Sequence, residues 1–243
     1  MTSPGPLGQQ SELPGDRREE LLALVSHELR TPLTVVVSAG RVLDRHPAIA
    51  GDHSLSAVVG DLLDAARRLE RVVESMLLLA RLQDGQMPAA EPVLVRQSVA
   101  RAVESHRREF VEGAVRVLVG EEPGMTVEAV PSWVQLILLN LLRNAYNYGD
   151  RTRPTLVQWT PNGALGRIQV CNSGSVIDPE MYESWFLPFF RADQVVAHVA
   201  GAGLGLTLAR RLTEMQGGTL TAERWHAEPG TLMSVSLPLI PEP

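Results

Sequence analysis

Apolar residues recur every three or four positions from Asp16 to about Arg45, which predicts an amphipathic helix. At about 100° per residue, Leu22, Val25, Leu29, Leu33 and Val36 form one apolar stripe. His27 lies about 200° round from both Val25 and Leu29, on the polar side, and Thr31 follows it one turn later. Glu28 sits beside the imidazole, close enough to bias its protonation. Pro32 cannot donate an amide to the carbonyl of Glu28, so a bend is expected just past the histidine. His46-Pro47 and Gly51-Asp52 supply a turn. A second helix is expected from about Ser54 to Leu82. Its Leu55, Val59, Leu62, Ala66, Leu69, Val73, Met76 and Ala80 fall on a heptad seam, with Val58, Ala65, Val72 and Leu79 as a flanking stripe. Two antiparallel helices cannot cover that much apolar surface, whereas doubling the hairpin into a four-helix bundle can. A homodimer through residues 16–83 with His27 on its outside is therefore expected. The alternative is a monomer whose hairpin packs on the rest of the chain.

After Asp84-Gly85 the period changes. Pro88 and Pro92 mark a linker over 84–92, and residues 93–243 alternate strands with helices. Strands are expected at 93–95, 115–119, 125–130, 155–160, 167–171, 219–223 and 231–237, with helices at 97–111, 131–146 and 204–215. Pro131 opens the second of these helices, Asn162-Gly163 turns a hairpin, and Gly217-Gly218 closes the last helix.

Composition narrows the classes. The chain has 243 residues, 44% hydrophobic and 21% charged, enough for one large or two ordinary domains. A net charge of -6 disfavours a nucleic-acid surface, which needs a basic stripe. The single cysteine, Cys171, excludes a disulfide framework and a multi-cysteine metal site, and its apolar strand suits a buried thiol. No apolar run approaches the ~20 residues of a membrane span, and the N-terminus lacks the order of a signal peptide. A cytoplasmic protein is expected; if this is a fragment, a membrane-attached parent and a soluble one both stay open. Residues 1–15 read as a flexible leader too short for a sensor domain.

Candidate chemistry gathers in five strings. The first is Ser26-His27-Glu28-Leu29-Arg30-Thr31-Pro32-Leu33, where periodicity alone would leave His27 an ordinary surface histidine. The string resembles the phosphoacceptor box of bacterial HisKA-type sensor histidine kinases. The resemblance implies His27 as the phosphorylated nucleophile, Glu28 as its base, and Thr31 as the residue that orients water in dephosphorylation.

The second is the helix 131–146, apolar almost all round. Its stripe of Trp133, Leu136 and Ile137 continues as Asn140, Asn144 and Asn147. Three amides on a mostly buried helix need partners, and neutral carbonyl oxygens suit a hard cation such as Mg²⁺; they would also serve simply to cap the helix end. L-N-L-L-R-N-A-Y-N-Y is similar to the N-box of the gyrase/histidine-kinase (GHKL) ATPase superfamily. That likeness implies Asn144 as the Mg²⁺ ligand, Asn140 as its support and Tyr148 as a wall of the nucleotide pocket. Asn147 stands where the family usually carries a lysine or arginine. The third, Cys171-Asn172-Ser173-Gly174-Ser175-Val176-Ile177, is similar to the family's D-x-G-x-G-I loop. Asn172 replaces the aspartate that accepts the adenine amino group, and Val176 replaces the second glycine. The fourth, Trp185-Phe186-Leu187-Pro188-Phe189-Phe190-Arg191, matches the F-box; its Phe186, Phe189 and Phe190 are expected to pack, and Arg191 is its functional candidate. In the fifth, Gly201-Ala202-Gly203-Leu204-Gly205-Leu206 precedes a helix N-terminus, where amides can face phosphate. It resembles the second glycine box, completed by Gly230-Thr231. The lid 192–200 lacks the usual cations and carries His198 alone.

The resemblance implies an α+β protein. A helical-hairpin dimerisation and phosphotransfer domain (16–83) would precede an α/β sandwich of the GHKL (Bergerat) type (93–243). ATP and Mg²⁺ would serve autophosphorylation of His27, with transfer to an aspartate of a response regulator, and the phosphatase reaction where Thr31 acts. Two rivals are weighed: a degenerate, phosphatase-biased scaffold with weak ATP binding, and a non-kinase GHKL-type ATPase.

Overall fold

The computed structural model describes residues 15–82, 85, 87–109, 117–119, 124–174, 179–190 and 203–241, and for 15–27, 117–119 and 179 the backbone alone. The chain divides into two compact units, Met1–Asp84 and Gly85–Pro243.

The first unit is a helical hairpin. Helix α1 (Gly15–Asp44) carries Pro32 inside it, a one-turn helix α2 (Pro47–Ala50) follows, and α3 (His53–Leu82) returns along α1. The turn is built from caps. His46 Nδ1 accepts from the Ala48 amide at 3.3 Å, and Asp52 Oδ1 accepts from the Ser54 and Leu55 amides at 2.9 and 3.1 Å. Among the described side chains, the buried set is Leu33, Val37 and Gly40 on α1 and Leu63, Ala66, Leu77 and Leu82 on α3. A Cβ on Gly40 would stand 2.6 Å from Leu63 Cδ2, so this glycine sets how closely the helices approach.

Within a single chain, only part of the expected stripes is covered. Leu29 and Val36, on the expected apolar stripe of α1, are both more than 40% exposed. On α3 the expected seam residues Leu55, Leu62, Leu69 and Met76 are exposed, as is the flanking Val58. One hairpin buries one stripe per helix, so the second stripe of each stays bare within a single chain.

In the second unit, two short strands, β1 (Glu91–Leu94) and β3 (Thr126–Ala129), pair antiparallel. A five-stranded sheet runs in the order β2 (Val117–Val119), β4 (Thr155–Asn162), β5 (Leu165–Ser173), β7 (Gly230–Pro238), β6 (Thr219–Arg224). Among the described strands only β2 and β4 pair in parallel, and α5 lies in the crossover that a parallel pair requires. Helices α4 (Val95–Glu109), α5 (Pro131–Tyr148) and α6 (Gly205–Met215) pack side by side, α5 and α6 also touching the sheet. The sheet presents Val157, Trp159, Ile168, Val170, Met233 and Val235 as its core face, each at most 1% exposed. The opposite face carries a polar ladder: Gln158 donates to Gln169 at 2.9 Å, and Gln169 to Ser234 at 3.3 Å. The β4–β5 hairpin pairs Asn162 with Leu165 around Gly163, whose φ of 62° needs glycine.

Cys171 is buried, and that burial pushes its thiol up to about 11, which makes it an inert core residue. The F-box departs from expectation. Phe186 packs under the guanidinium of Arg210, whose carbon stands 4.6 Å from the ring centroid, but Phe189 is 59% exposed with φ 62° and Phe190 is only half-buried. The backbone at Phe189 turns there to meet Gly203, and the ring is carried outward.

Candidate functional site

Helix α5 is the spine of the site. Its Trp133, Val134, Ile137, Leu138, Leu141 and Leu142 are buried against the sheet and neighbouring helices, while Asn140, Asn144 and Asn147 are half-buried along one side. Gln216 ties its start to the end of α6. The Gln216 Oε1 accepts from the Val130 amide at 2.7 Å, and its Nε2 donates to the Leu212 carbonyl at 2.8 Å, both buried. Sequence reasoning passed over this glutamine, although an amide beside Gly217-Gly218 was a visible cue for a helix cap.

At its middle, α5 meets the N-terminus of α6. Asn140 Nδ2 donates to the Leu136 carbonyl at 2.9 Å, which turns its Oδ1 outward. A Cβ on Gly205 would stand 2.8 Å from that oxygen. The asparagine string and the glycine string therefore meet at van der Waals distance, and a side chain at Gly205 would have to push the Asn140 amide aside. Leu204 is buried just before the helix, and Leu206 is half-buried in its first turn. Gly203, at φ 70°, leaves no room for a side chain either, since a Cβ would lie 2.7 Å from the Phe190 carbonyl oxygen. The Phe189 amide donates to the Gly203 carbonyl at 3.1 Å, which joins the F-box to the glycine box.

At its C-terminal end, α5 meets the end of β5. Asn172 is 5% exposed and lies opposite Thr231, also 5% exposed, in the β5–β7 register. Asn172 follows Val170 by two residues and Thr231 precedes Met233 by two, so alternation puts both on the core side of the sheet. The Asn172 Nδ2 stands 3.2 Å from where a Cβ on Gly149 would be, and Gly149 bridges Gly174. The Asp150 amide donates to the Ser173 carbonyl at 2.7 Å, and the main-chain oxygen of Tyr148 lies 3.0 Å from a Cβ on Gly174. Glu228 ties this corner down: it accepts from Ser173 Oγ at 2.5 Å and from Arg153 at 2.7 Å. Arg153 and Glu228 belong to no recognised string, and nothing local in the sequence pairs them.

From Asn140 to Gly149 the helix rises about 13 Å. One end offers buried amide and hydroxyl groups, the other a glycine-lined helix N-terminus, and Asn144 lies between. That arrangement suits a ligand with a hydrogen-bonding ring at one end and phosphates at the other. Neutral amide oxygens with space for water and phosphate also fit a Mg²⁺ ion. Among the described residues, no cluster of His, Cys, Asp or Glu offers a metal site of its own.

In the hairpin unit, Glu28 and Thr31 are exposed on α1. The side chain of His27 lies outside the described residues, as do Arg191, Gly201, Val176 and the lid 192–200 with His198. No described helix is long and apolar enough to cross a membrane.

The fold and the site define a nucleotide-type α/β sandwich together with a helical hairpin. The model for the family described as "His Kinase A (phospho-acceptor) domain" matches residues 17–85, and that for "Histidine kinase-, DNA gyrase B-, and HSP90-like ATPase" matches 129–241. The chain belongs to the HisKA-type sensor histidine kinases with a GHKL ATP-binding domain. It is 29% identical to Sensor protein IrlS of Burkholderia pseudomallei over 84% of its own length and 43% of that protein's. It is 26% identical to Sensor protein VanS of Enterococcus faecium over 96% of its own length and 60% of that protein's. The chain thus spans about half the length of these relatives. Among solved structures, full-length ShkA in complex with AMPPNP matches with a TM-score of 0.72 at 24% identity, over 92% of this chain and 46% of that one, a likeness of fold.

Proposed function

We propose that this chain is the catalytic core of a sensor histidine kinase. Residues 93–243 bind ATP, and residues 16–83 form a homodimeric four-helix bundle that presents His27. The observation that carries the nucleotide site is the contact of Asn140 with Gly205, which sets the amides of α5 against the glycine-lined start of α6. Asn144, supported by Asn140, would hold Mg²⁺, which supplies charge neutralisation on the triphosphate. Tyr148, Asn172, Gly174 and Thr231 take the base; Gly201, Gly203, Leu204, Gly205 and Leu206 take the phosphates, with Asn147 and Arg191 beside them. The bare stripes of α1 and α3 support the dimer, because Leu55, Val58, Leu62, Leu69 and Met76 follow a heptad spacing of three and four on one side of α3.

In the reaction, one imidazole nitrogen of His27 attacks the γ-phosphorus. The N–P bond forms as the bond to the β-phosphate oxygen breaks, and ADP leaves. Glu28 holds the other ring N–H, keeps the attacking nitrogen unprotonated and balances the charge the ring gains. The phosphoryl group then passes to an aspartate carboxylate of a response regulator; in the separate phosphatase reaction Thr31 orients the water that hydrolyses the aspartyl phosphate, releasing inorganic phosphate. The test is incubation with γ-labelled ATP. His27→Ala abolishes labelling and leaves ATP affinity unchanged; labelling that survives this substitution overturns the assignment. A scaffold biased towards the phosphatase reaction is the second reading, favoured by the neutral amides at Asn147 and Asn172. It would bind ATP weakly and take no label.

A further inference from the structure

We infer that Asn172 makes this site a reader of purines in general, accepting 6-oxopurine triphosphates alongside ATP. The inference rests on the reading of residues 93–243 as a nucleotide domain and concerns its base-binding end.

A carboxylate at this position can only accept hydrogen bonds, whereas a carboxamide accepts at one end and donates at the other. The 6-amino group of adenine donates, and the 6-oxo group of guanine or hypoxanthine accepts. With Oδ1 forward, Asn172 accepts from the amino group and Nδ2 donates to the unprotonated ring nitrogen. Rotated by half a turn, Nδ2 donates to the oxo group and Oδ1 accepts from the ring N–H. Both pairings satisfy the same number of groups. A buried carboxylate would instead face an oxo lone pair, and the unmet bonds would reject that base.

The surroundings leave the amide able to turn. Its Nδ2 makes only a long contact to the Ser173 carbonyl, at 3.4 Å, beyond the usual range for such a bond. Its partner across the strands, Thr231, brings a hydroxyl that also donates or accepts. The carboxylates near this corner are engaged elsewhere. Asp150 Oδ1 accepts from the amide and hydroxyl of Thr152, and Glu228 is held by Ser173 and Arg153. Neither stands in for the missing aspartate.

The experiment is calorimetric titration of the full chain with Mg-ATP and Mg-ITP, the latter differing from ATP at the 6-position and in the proton on the adjoining ring nitrogen. The two dissociation constants are expected to agree within about tenfold, and Asn172→Asp to widen the preference for ATP by roughly tenfold or more. Asn172→Ala, which keeps the fold if the carboxylate does not, weakens both nucleotides to the same extent. A wild-type preference for ATP beyond about a hundredfold overturns the inference while sparing the nucleotide reading. So does an unchanged ratio in Asn172→Asp, or an Asn172→Ala loss confined to ATP. Absence of binding by either nucleotide at millimolar concentration overturns both.

Discussion

Gly230 has no room for a side chain: a Cβ there would lie 2.1 Å from the Asn172 carbonyl oxygen and 2.9 Å from Ser173 Cα. Both are main chain of a central strand and cannot step aside cheaply. Gly230→Ala is therefore expected to cost about 3 kcal/mol of stability, read as a fall in the thermal midpoint by circular dichroism. A second residue-scale effect concerns His106, which is fully buried between α4 and α5, its ring edge-on to Tyr146 at 6.0 Å. Burial pulls its pKa below 6.5, with Arg143 acting in the same sense, while Glu109 and a backbone bond at Leu142 oppose. The unfolded chain then binds more protons than the folded one just below pH 6.5, so stability is complete above that pH and declines on acidification through it. His106→Met should flatten that limb of a stability–pH profile; an unchanged slope would remove His106 as its source. Neither effect was legible in the sequence. Asn140, Asn144 and Gly205 stood out because their types repeat in recognisable strings. Gly230's crowding and His106's burial depend on chain segments far apart in sequence. Phe189 failed for another reason: an aromatic in an apolar string reads as core, yet its backbone is fixed by Gly203.

Among the elements, the helices and strands were legible almost throughout, because each combines a clear period with a clear stop. Pro131 opens α5 and Gly217-Gly218 close α6 where expected, although α5 runs two residues further, to Tyr148. Which stripe of α3 faces α1 was not legible. Its apolar positions are wide enough for two contacts, and periodicity weights both alike. The structure separates them: Leu63, Ala66 and Leu77 belong to the hairpin, while Leu55, Val58, Leu62 and Leu69 are left outside. The two sets should respond differently to substitution. Leu63→Ala opens a cavity against Gly40 and is expected to lower stability by about 3 kcal/mol. Leu62→Glu with Leu69→Glu puts like charges on the bare stripe. It should turn a dimer into a monomer in light scattering while the helical signal persists. A pair of glutamates that leaves the mass unchanged would exclude this stripe from the dimer interface.

For the whole molecule, the order of strings from histidine box to second glycine box gave the two-part plan, but the sheet order β2-β4-β5-β7-β6 did not follow from it. Strand order is set by long-range pairing, which local patterns do not encode. The proposed reaction requires that a nucleotide bound in one unit and a histidine carried by the other come within reach, so on that reading the connection between them permits movement. Helix α3 ends at Leu82, and Gly85 follows with φ 73°, in open space where a Cβ would meet no atom within 4 Å. Glycine is there for its backbone conformation and not for want of room. Proline fixes φ near -65° and cannot adopt this one, so Gly85→Pro would redirect the chain as it leaves the helix. Gly85→Ala would strain the same turn by only about 1 kcal/mol. If delivery of the triphosphate to His27 depends on this hinge, the proline variant lowers the rate of His27 labelling at least tenfold with ATP affinity unchanged, and the alanine variant falls between it and the parent. Equal labelling rates in all three would mean that the two units meet without any contribution from Gly85.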